Sequence, residues 1–253
     1  MTGMAGKTVF ITGATGGIGR ATAAAFVAQG ANVVLADLDR SALDELAAAI
    51  GKQAAVAVCD VTDEAQTADA VAIARKAFGG IDVAVLNAGI EGKVGLIGDM
   101  AVADFDKVMN VNVRGVFIGL SQVMPVMRAN GGAIIILSST AGRRGSAALS
   151  PYITSKHAVV GLMKCAALEG APDGIRVNCV NPGPIETRMM RAIEANASPD
   201  APEEIKAQLI ARIPLQRYGT AEEVAEMIAF LGGTASSYCT GNIYGVDGGL
   251  TAG

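Results

Sequence analysis

The sequence has no tryptophan, and only 4% of its residues are aromatic, which leaves little material for stacking nucleobases. Basic charge is also short. A net charge of −4 and a pI near 5.1 argue against the basic face that a nucleic-acid partner demands. Charged residues make up 17% of the 253, against about 25% in an ordinary soluble domain. Long hydrophobic runs are missing too. Ala158–Met163 is cut by Lys164, and nothing approaches the ~20 residues of a membrane-spanning helix. The four cysteines (Cys59, Cys165, Cys179, Cys239) are widely spaced, with no C-x-x-C pair. They read as reduced, mostly buried thiols of a cytoplasmic protein rather than as disulfides or zinc ligands. His157 is the single histidine, so a multi-histidine metal site is excluded. A serine or cysteine hydrolase would have to use that one residue, and no G-x-S-x-G elbow exists. No basic-then-apolar leader precedes the strand-like segment that begins at Lys7.

What is present is small and apolar. The chain is 51% hydrophobic with 32 glycines, too apolar for disorder and without a collagen period. Short Val- and Ile-rich runs at 7–12, 32–36, 54–58, 82–86, 132–138, 174–180 and 242–246 are continuously apolar, as strands of a parallel sheet covered on both faces are. Helical patterns lie between them, at 17–29, 40–50, 63–78, 103–129, 151–170 and 221–232. Repeated βα units predict an α/β, doubly wound, seven-stranded parallel sheet with helices on both faces. No composition break divides the chain, so residues 1–253 read as one dinucleotide-binding domain. The exception is 184–213, a charged, proline-bearing stretch that reads as a substrate-binding insertion of one or two helices.

The first strand runs into Thr12-Gly13-Ala14-Thr15-Gly16-Gly17-Ile18-Gly19 and then a helix. Gly13 permits a tight turn, Gly17 close approach of a pyrophosphate, and Gly19 close packing of helix on strand. The helix N-terminus offers free N–H groups to phosphates. No Gly-Lys-Ser/Thr comes after it, which disfavours an ATPase. Asp37 ends the second strand, where its carboxylate can accept from ribose hydroxyls and repel a 2′-phosphate. The cofactor expected is therefore NAD, although Arg40 is near in sequence. Asp37 could instead cap the following helix, a task open also to Asp39 and Ser41.

Tyr152 is the only one of four tyrosines with a lysine, Lys156, four residues on. On a helix the two share a face, and a neighbouring ammonium lowers a phenol's pKa toward the range of acid–base work. Ser150 and Pro151 look like the cap and first turn of that helix. Ser138 and Ser139 end the strand at 132–138, and the carboxyl ends of such strands carry ligand sites. Asn112 falls inside the long helical pattern, where it could also be a buried capping or bending residue.

These residues together resemble the short-chain dehydrogenase/reductase family over essentially the whole chain. The motifs are T-G-A-T-G-G-I-G at 12–19, D-V at 60–61, N-A-G at 87–89, Asn112, Ser139, Y-I-T-S-K at 152–156, N-P-G-P-I-E-T at 181–187 and D-G-G at 247–249. The resemblance implies that Tyr152 is the general acid/base and that Lys156 binds the nicotinamide ribose. Ser139, thirteen before the tyrosine, holds the substrate oxygen, and Asn112 anchors a proton-relay water. It also implies a cofactor site of Gly13, Thr15, Gly17, Ile18, Gly19 and Asp37, with Asp60 and Val61 at the adenine. Asn87 and Gly89 lie along the adenosine ribose, and Pro182, Gly183, Ile185 and Thr187 flank the nicotinamide. The family's usual first asparagine before N-A-G is Leu86 here.

The activity expected is NAD-dependent interconversion of a neutral, largely apolar secondary alcohol, cyclic ones included, and its ketone, with no metal. Met189, Met190 and Ile193 are expected to line the substrate site, joined by Ile90, Val94 and Leu149. Arg143, Arg144, Arg188 and Arg191 read as solvated surface. A 3-oxoacyl-carrier-protein reductase and a catalytically inactive NAD(H)-binding module are the alternatives. His157 points away from Lys156 around the helix and reads as structural or interfacial. Val113, Val116, Phe117, Leu120, Val123 and Met124, with Ala158, Leu162, Ala166 and Ala167, read as surfaces between subunits. The resemblance implies a homotetramer. No nucleic acid or membrane is an expected partner.

Overall fold

The computed structural model describes residues 3–252. The strands are β1 (Thr8–Thr12), β2 (Asn32–Asp37), β3 (Ala54–Val58), β4 (Val83–Leu86), β5 (Gly132–Leu137), β6 (Ile175–Pro182) and β7 (Ile243–Val246). They form one seven-stranded sheet in the order β3-β2-β1-β4-β5-β6-β7, parallel at every pairing. The strand order reverses at β1, which pairs with both β2 and β4. The carboxyl ends of β1 and β4 therefore flank the crevice where such sheets bind ligands.

The continuous apolar runs have a simple cause. Successive side chains of a strand point to opposite faces, and both faces are covered. Phe10, Val34, Ile134 and Ile136 enter one core; Val9, Ile11, Leu35 and Ile135 enter the other. Full burial of each such side chain contributes roughly 1.5–3 kcal/mol. The first core is closed by α3 (Glu64–Phe78), α5 (Gly115–Met127) and α6 (Ser150–Gly170), the second by α1 (Gly17–Val27), α2 (Arg40–Ile50) and α9 (Ala221–Gly232). Asp39, not Asp37, caps α2, accepting from the Ala42 N–H.

The helix expected over 103–129 is interrupted. It consists of α4 (Val102–Met109), a wide π turn over Asn110–Arg114, and α5. The Gly115 N–H bonds to the Asn110 carbonyl, five residues back. A π turn inserts one extra residue and re-aims the helix beyond it, and hydrophobic spacing does not reveal it. Ser150 is likewise the first residue of α6 rather than its cap; Leu149 holds the cap position with no side-chain bond. Within 184–213 lie two helices, α7 (Arg188–Ala197) and α8 (Pro202–Ala211).

The stripes read as subunit surfaces divide differently. Val116, Leu120, Val123, Ala166 and Ala167 are buried in the chain's own core, because the helices that carry them pack directly on the sheet. Phe117 remains 58% exposed.

Candidate active site

The glycine loop is held by sterics. Gly13 has φ +63°, and a Cβ there would lie 2.9 Å from the Ala88 Cα. A Cβ on Gly19 would lie 2.2 Å from the Gly13 carbonyl oxygen, so only glycine lets α1 start against the turn. Gly17 faces Thr187, whose methyl would be 3.0 Å from an added Cβ; the loop and the 181–187 segment therefore meet. Gly16 caps α1 without a side-chain bond, leaving first-turn N–H groups free for an anion. Asn87 clamps the loop, donating from Nδ2 to the Thr12 and Gly13 carbonyls at 3.0 Å each.

Asp37 sits at the loop's edge. Its Oδ2 accepts from the Thr15 N–H at 2.9 Å and the Thr15 hydroxyl at 2.6 Å, and its Oδ1 from the Leu38 N–H at 2.7 Å. Two oxygens with about four lone-pair sites leave capacity for a further donor. Arg40 is turned to Asp44, at 2.8 Å, and Arg20 donates to the Thr15 carbonyl at 2.9 Å. Asp60 accepts from the Thr62 N–H and hydroxyl, and Val61 beside it packs where a Cβ on Gly115 would fall. These residues, uncapped N–H groups beside a glycine cradle and a carboxylate with no cation paired to it, suit a dinucleotide with a bare ribose.

At the ends of β5 and β6 lies a cavity of about 250 Å³. Its lining gathers many of the expected residues: Ile18, Asn87, Gly89, Ser139, Tyr152, Lys156, Pro182, Gly183, Ile185, Thr187, Met189 and Met190. Ile193 and Leu149 join them, whereas Ile90 and Val94 do not line it. Arg144 and Arg212 do. Arg144 is half-buried and reaches the Leu250 carbonyl at 3.4 Å, so it is not the solvated surface residue expected. Burial, and secondarily Arg212, hold its pKa below the usual value. Leu209 and Leu250, also in the lining, were not foreseen; chain folding from distant segments brings them in.

The two serines separate by role. Ser138 is buried and its hydroxyl donates to the Lys156 carbonyl at 2.9 Å, fastening β5 to α6. Ser139 lines the cavity, its Oγ accepting from the Ala141 N–H at 3.1 Å, and Tyr152 lines the same cavity. Asn181 donates to the Ser139 carbonyl at 2.6 Å and so fixes this turn. Lys156 is 6% exposed; its ammonium donates to the Leu137 carbonyl at 2.9 Å and lies 5.5 Å from the Tyr152 ring centre.

Asn112 is 1% exposed and bends rather than caps. Its Oδ1 accepts from the Ile90 N–H at 2.8 Å. Its Nδ2 donates to the Ile90 carbonyl at 2.9 Å and to the Ser155 hydroxyl at 3.0 Å. Ser155 in turn donates to the Tyr152 carbonyl at 2.8 Å. The π turn thus ties the N-A-G segment to the helix that carries the tyrosine. Ser155 and Asn181 were legible only as letters inside their motifs. His157 is exposed and bonds the Ile153 carbonyl of its own helix.

The electrostatics depart from expectation. Burial pushes the Tyr152 phenol up to about 12, with nearby Ser139 offsetting only part and the Glu91 carboxylate adding to the rise. Burial also pushes Lys156 down to about 8. Desolvation is the largest cause for each group. Among the described residues no cluster of metal-ligating side chains exists, all four cysteines are free, and no helix is long and apolar enough to cross a membrane.

A family model described as enoyl-(acyl carrier protein) reductase matches residues 13–251. Levodione reductase of Leifsonia aquatica is 39% identical, covering 97% of this chain and 94% of that protein. The 3-oxoacyl-[acyl-carrier-protein] reductase FabG of Thermotoga maritima is 40% identical, over 97% and 98%. Cyclohexanol dehydrogenase of an Acinetobacter species is 38% identical, over 97% and 95%. Among solved structures, levodione reductase superposes with a TM-score of 0.95 at 37% identity, covering 98% of this chain and 99% of that one. NAD⁺-bound xylitol dehydrogenase superposes with 0.94 at 35%, covering 98% and 100%.

Proposed function

Because this chain belongs to the short-chain dehydrogenase/reductase family, we propose that it is an NAD-dependent oxidoreductase interconverting a largely apolar secondary alcohol, cyclic ones included, and its ketone. The observation that carries this is one cavity lined both by Ser139, Tyr152 and Lys156 and by Met189, Met190 and Ile193. Gly13, Thr15, Gly17, Ile18 and Gly19 would hold NAD at its phosphates, with Asp37 toward the adenosine ribose, Asp60 and Val61 toward the adenine, and Asn87 and Gly89 between. Lys156, Pro182, Gly183, Ile185 and Thr187 would hold its nicotinamide end.

Bound there, NAD would supply the hydride acceptor or donor. The chain's own residues manage the oxygen and the proton. Ser139 holds the substrate oxygen. Tyr152 takes the hydroxyl proton during oxidation and returns it during reduction. Lys156 adds positive charge to the same pocket from its anchor on the Leu137 carbonyl. That charge matters because the phenol, raised chiefly by burial, stands near 12, far above the range of efficient proton transfer. Asn112 would anchor the relay water, and its side-chain amide joins Ile90 to Ser155.

Helices α7 and α8 cover the substrate. The protein works as a cytoplasmic homotetramer, with Phe117 in one of the surfaces between subunits; a monomer at micromolar concentration would contradict this.

A second reading, 3-oxoacyl-carrier-protein reductase, is favoured by the similarity to FabG. A panel of secondary alcohols and acyl thioesters assayed with NAD(H) and NADP(H) separates the two. NADH production from the alcohols is expected. Preferential NADPH-dependent reduction of thioesters would favour the second reading, and NADH binding with no turnover would indicate an inactive module.

A further inference from the structure

Glu194 lies on α7, in the cover and outside the catalytic set, yet its side chain is 1% exposed. A buried carboxylate is costly unless paired. Its Oε1 accepts from the Tyr218 hydroxyl at 2.8 Å, and its Oε2 accepts from Arg191 Nη1 at 2.7 Å. Tyr218 itself is 4% exposed and belongs to the segment that leads into α9, not to the cover. Arg191 also pairs with Glu186, which Lys206 of α8 joins at 3.0 Å. The cations of Arg191 and Lys206 lie 5.8 Å and 5.4 Å from the Tyr218 ring centre. Met190 and Leu209, two residues that line the substrate cavity, pack on the small apolar cluster built around Tyr218. One tyrosine thus supports the cavity wall with its ring and holds the cover through its hydroxyl.

We infer that Glu194, Tyr218 and Arg191 form a latch that fixes α7 and α8 over the substrate cavity, making Glu194 and Tyr218 positioning residues for the reaction. The inference rests on α7 and α8 being the substrate cover. An apolar pair of similar volume would bury surface equally well, but it would not define one seating. A buried charge with two directional partners has few alternative arrangements. Loosening it lowers the fraction of molecules whose cover is seated, and apparent substrate affinity falls by that fraction.

The test compares Glu194→Ala, Glu194→Gln and Tyr218→Phe with the unaltered protein, by steady-state kinetics and by hydrogen–deuterium exchange over 188–211. Glu194→Ala is expected to raise the substrate KM about tenfold or more with kcat within threefold, leave NADH affinity unchanged, and speed exchange in α7 and α8. Tyr218→Phe shifts both readouts in the same direction by less. Glu194→Gln, which still accepts from the Tyr218 hydroxyl, restores part of the loss. A lowered Tm with unchanged KM and unchanged local exchange in Tyr218→Phe and Glu194→Gln would overturn the latch. If the unaltered protein oxidises no secondary alcohol, the functional reading fails. The exchange data then decide the latch alone: unchanged exchange in all three variants overturns it.

Discussion

The two ends of the crevice handle polar groups in opposite ways. At the glycine loop each carboxylate and amide has a neutral partner close by in sequence or fold: Asp37 takes Thr15 and Leu38, and Asn87 takes two loop carbonyls. At the catalytic end desolvation opposes the ionisation of both Tyr152 and Lys156, one pushed up to about 12 and the other down to about 8. The first is a receptor shaped by backbone and sterics. The second stores desolvated groups whose protonation responds strongly to any charge brought near. The glycine loop follows β1, whereas Tyr152 and Lys156 stand on α6, so the two tasks are kept on separate elements around one sheet.

The largest effect should come from splitting the two ends with Tyr152→Phe. Turnover is expected to fall at least about 10³-fold, with NADH affinity, read by fluorescence titration, within twofold of the unaltered protein. Wild-type rates in the variant would refute the acid–base assignment, and loss of NADH binding would erase the distinction between the ends.

Next comes the buried ammonium. Below pH 8, Lys156 is protonated both folded and unfolded. Between about 8 and its ordinary 10.5, the unfolded chain holds a proton that the folded chain has released. Stability therefore rises with pH through this window. Relative to Lys156→Met, the rise should total roughly 3 kcal/mol, followed by denaturant midpoints. Tyr152 works the other way above pH 10, where the folded chain keeps a proton that the unfolded one loses, so the comparison is best made between 8 and 10. A flat difference there would mean that Lys156 is not held against its charge.

The smallest effect sharpens the cofactor end. Asp37→Ala should reduce the preference for NAD over NADP about 10- to 100-fold, the scale of a hydrogen bond to a charged group, without moving the substrate KM. An unchanged preference would remove Asp37 from the ribose.

Much of this was legible beforehand because it is local or periodic. Gly13 and Gly19 announce a turn that tolerates no Cβ, and the apolar runs announce strands covered on both faces. The four-residue spacing of Tyr152 and Lys156 needs only a helix. The breaks were invisible for equally definite reasons. The π turn at Asn110–Arg114 leaves the hydrophobic pattern readable as one helix. Val116, Leu120 and Val123 satisfy a core and an interface equally well as letters. Arg144 carries no mark that separates a solvated arginine from one lining a cavity.

By itself, then, the sequence determined the sheet, the glycine loop and the shared helical face of Tyr152 and Lys156, because each depends on short spacings that backbone geometry translates directly. Only the tertiary structure decided that the Ser138 hydroxyl is engaged by the Lys156 carbonyl, that Asn112 reaches Tyr152 through Ser155, and that Glu194 is buried against Tyr218. Those outcomes join segments tens of residues apart, and their energetics turn on burial, which exists only once the chain has closed around them.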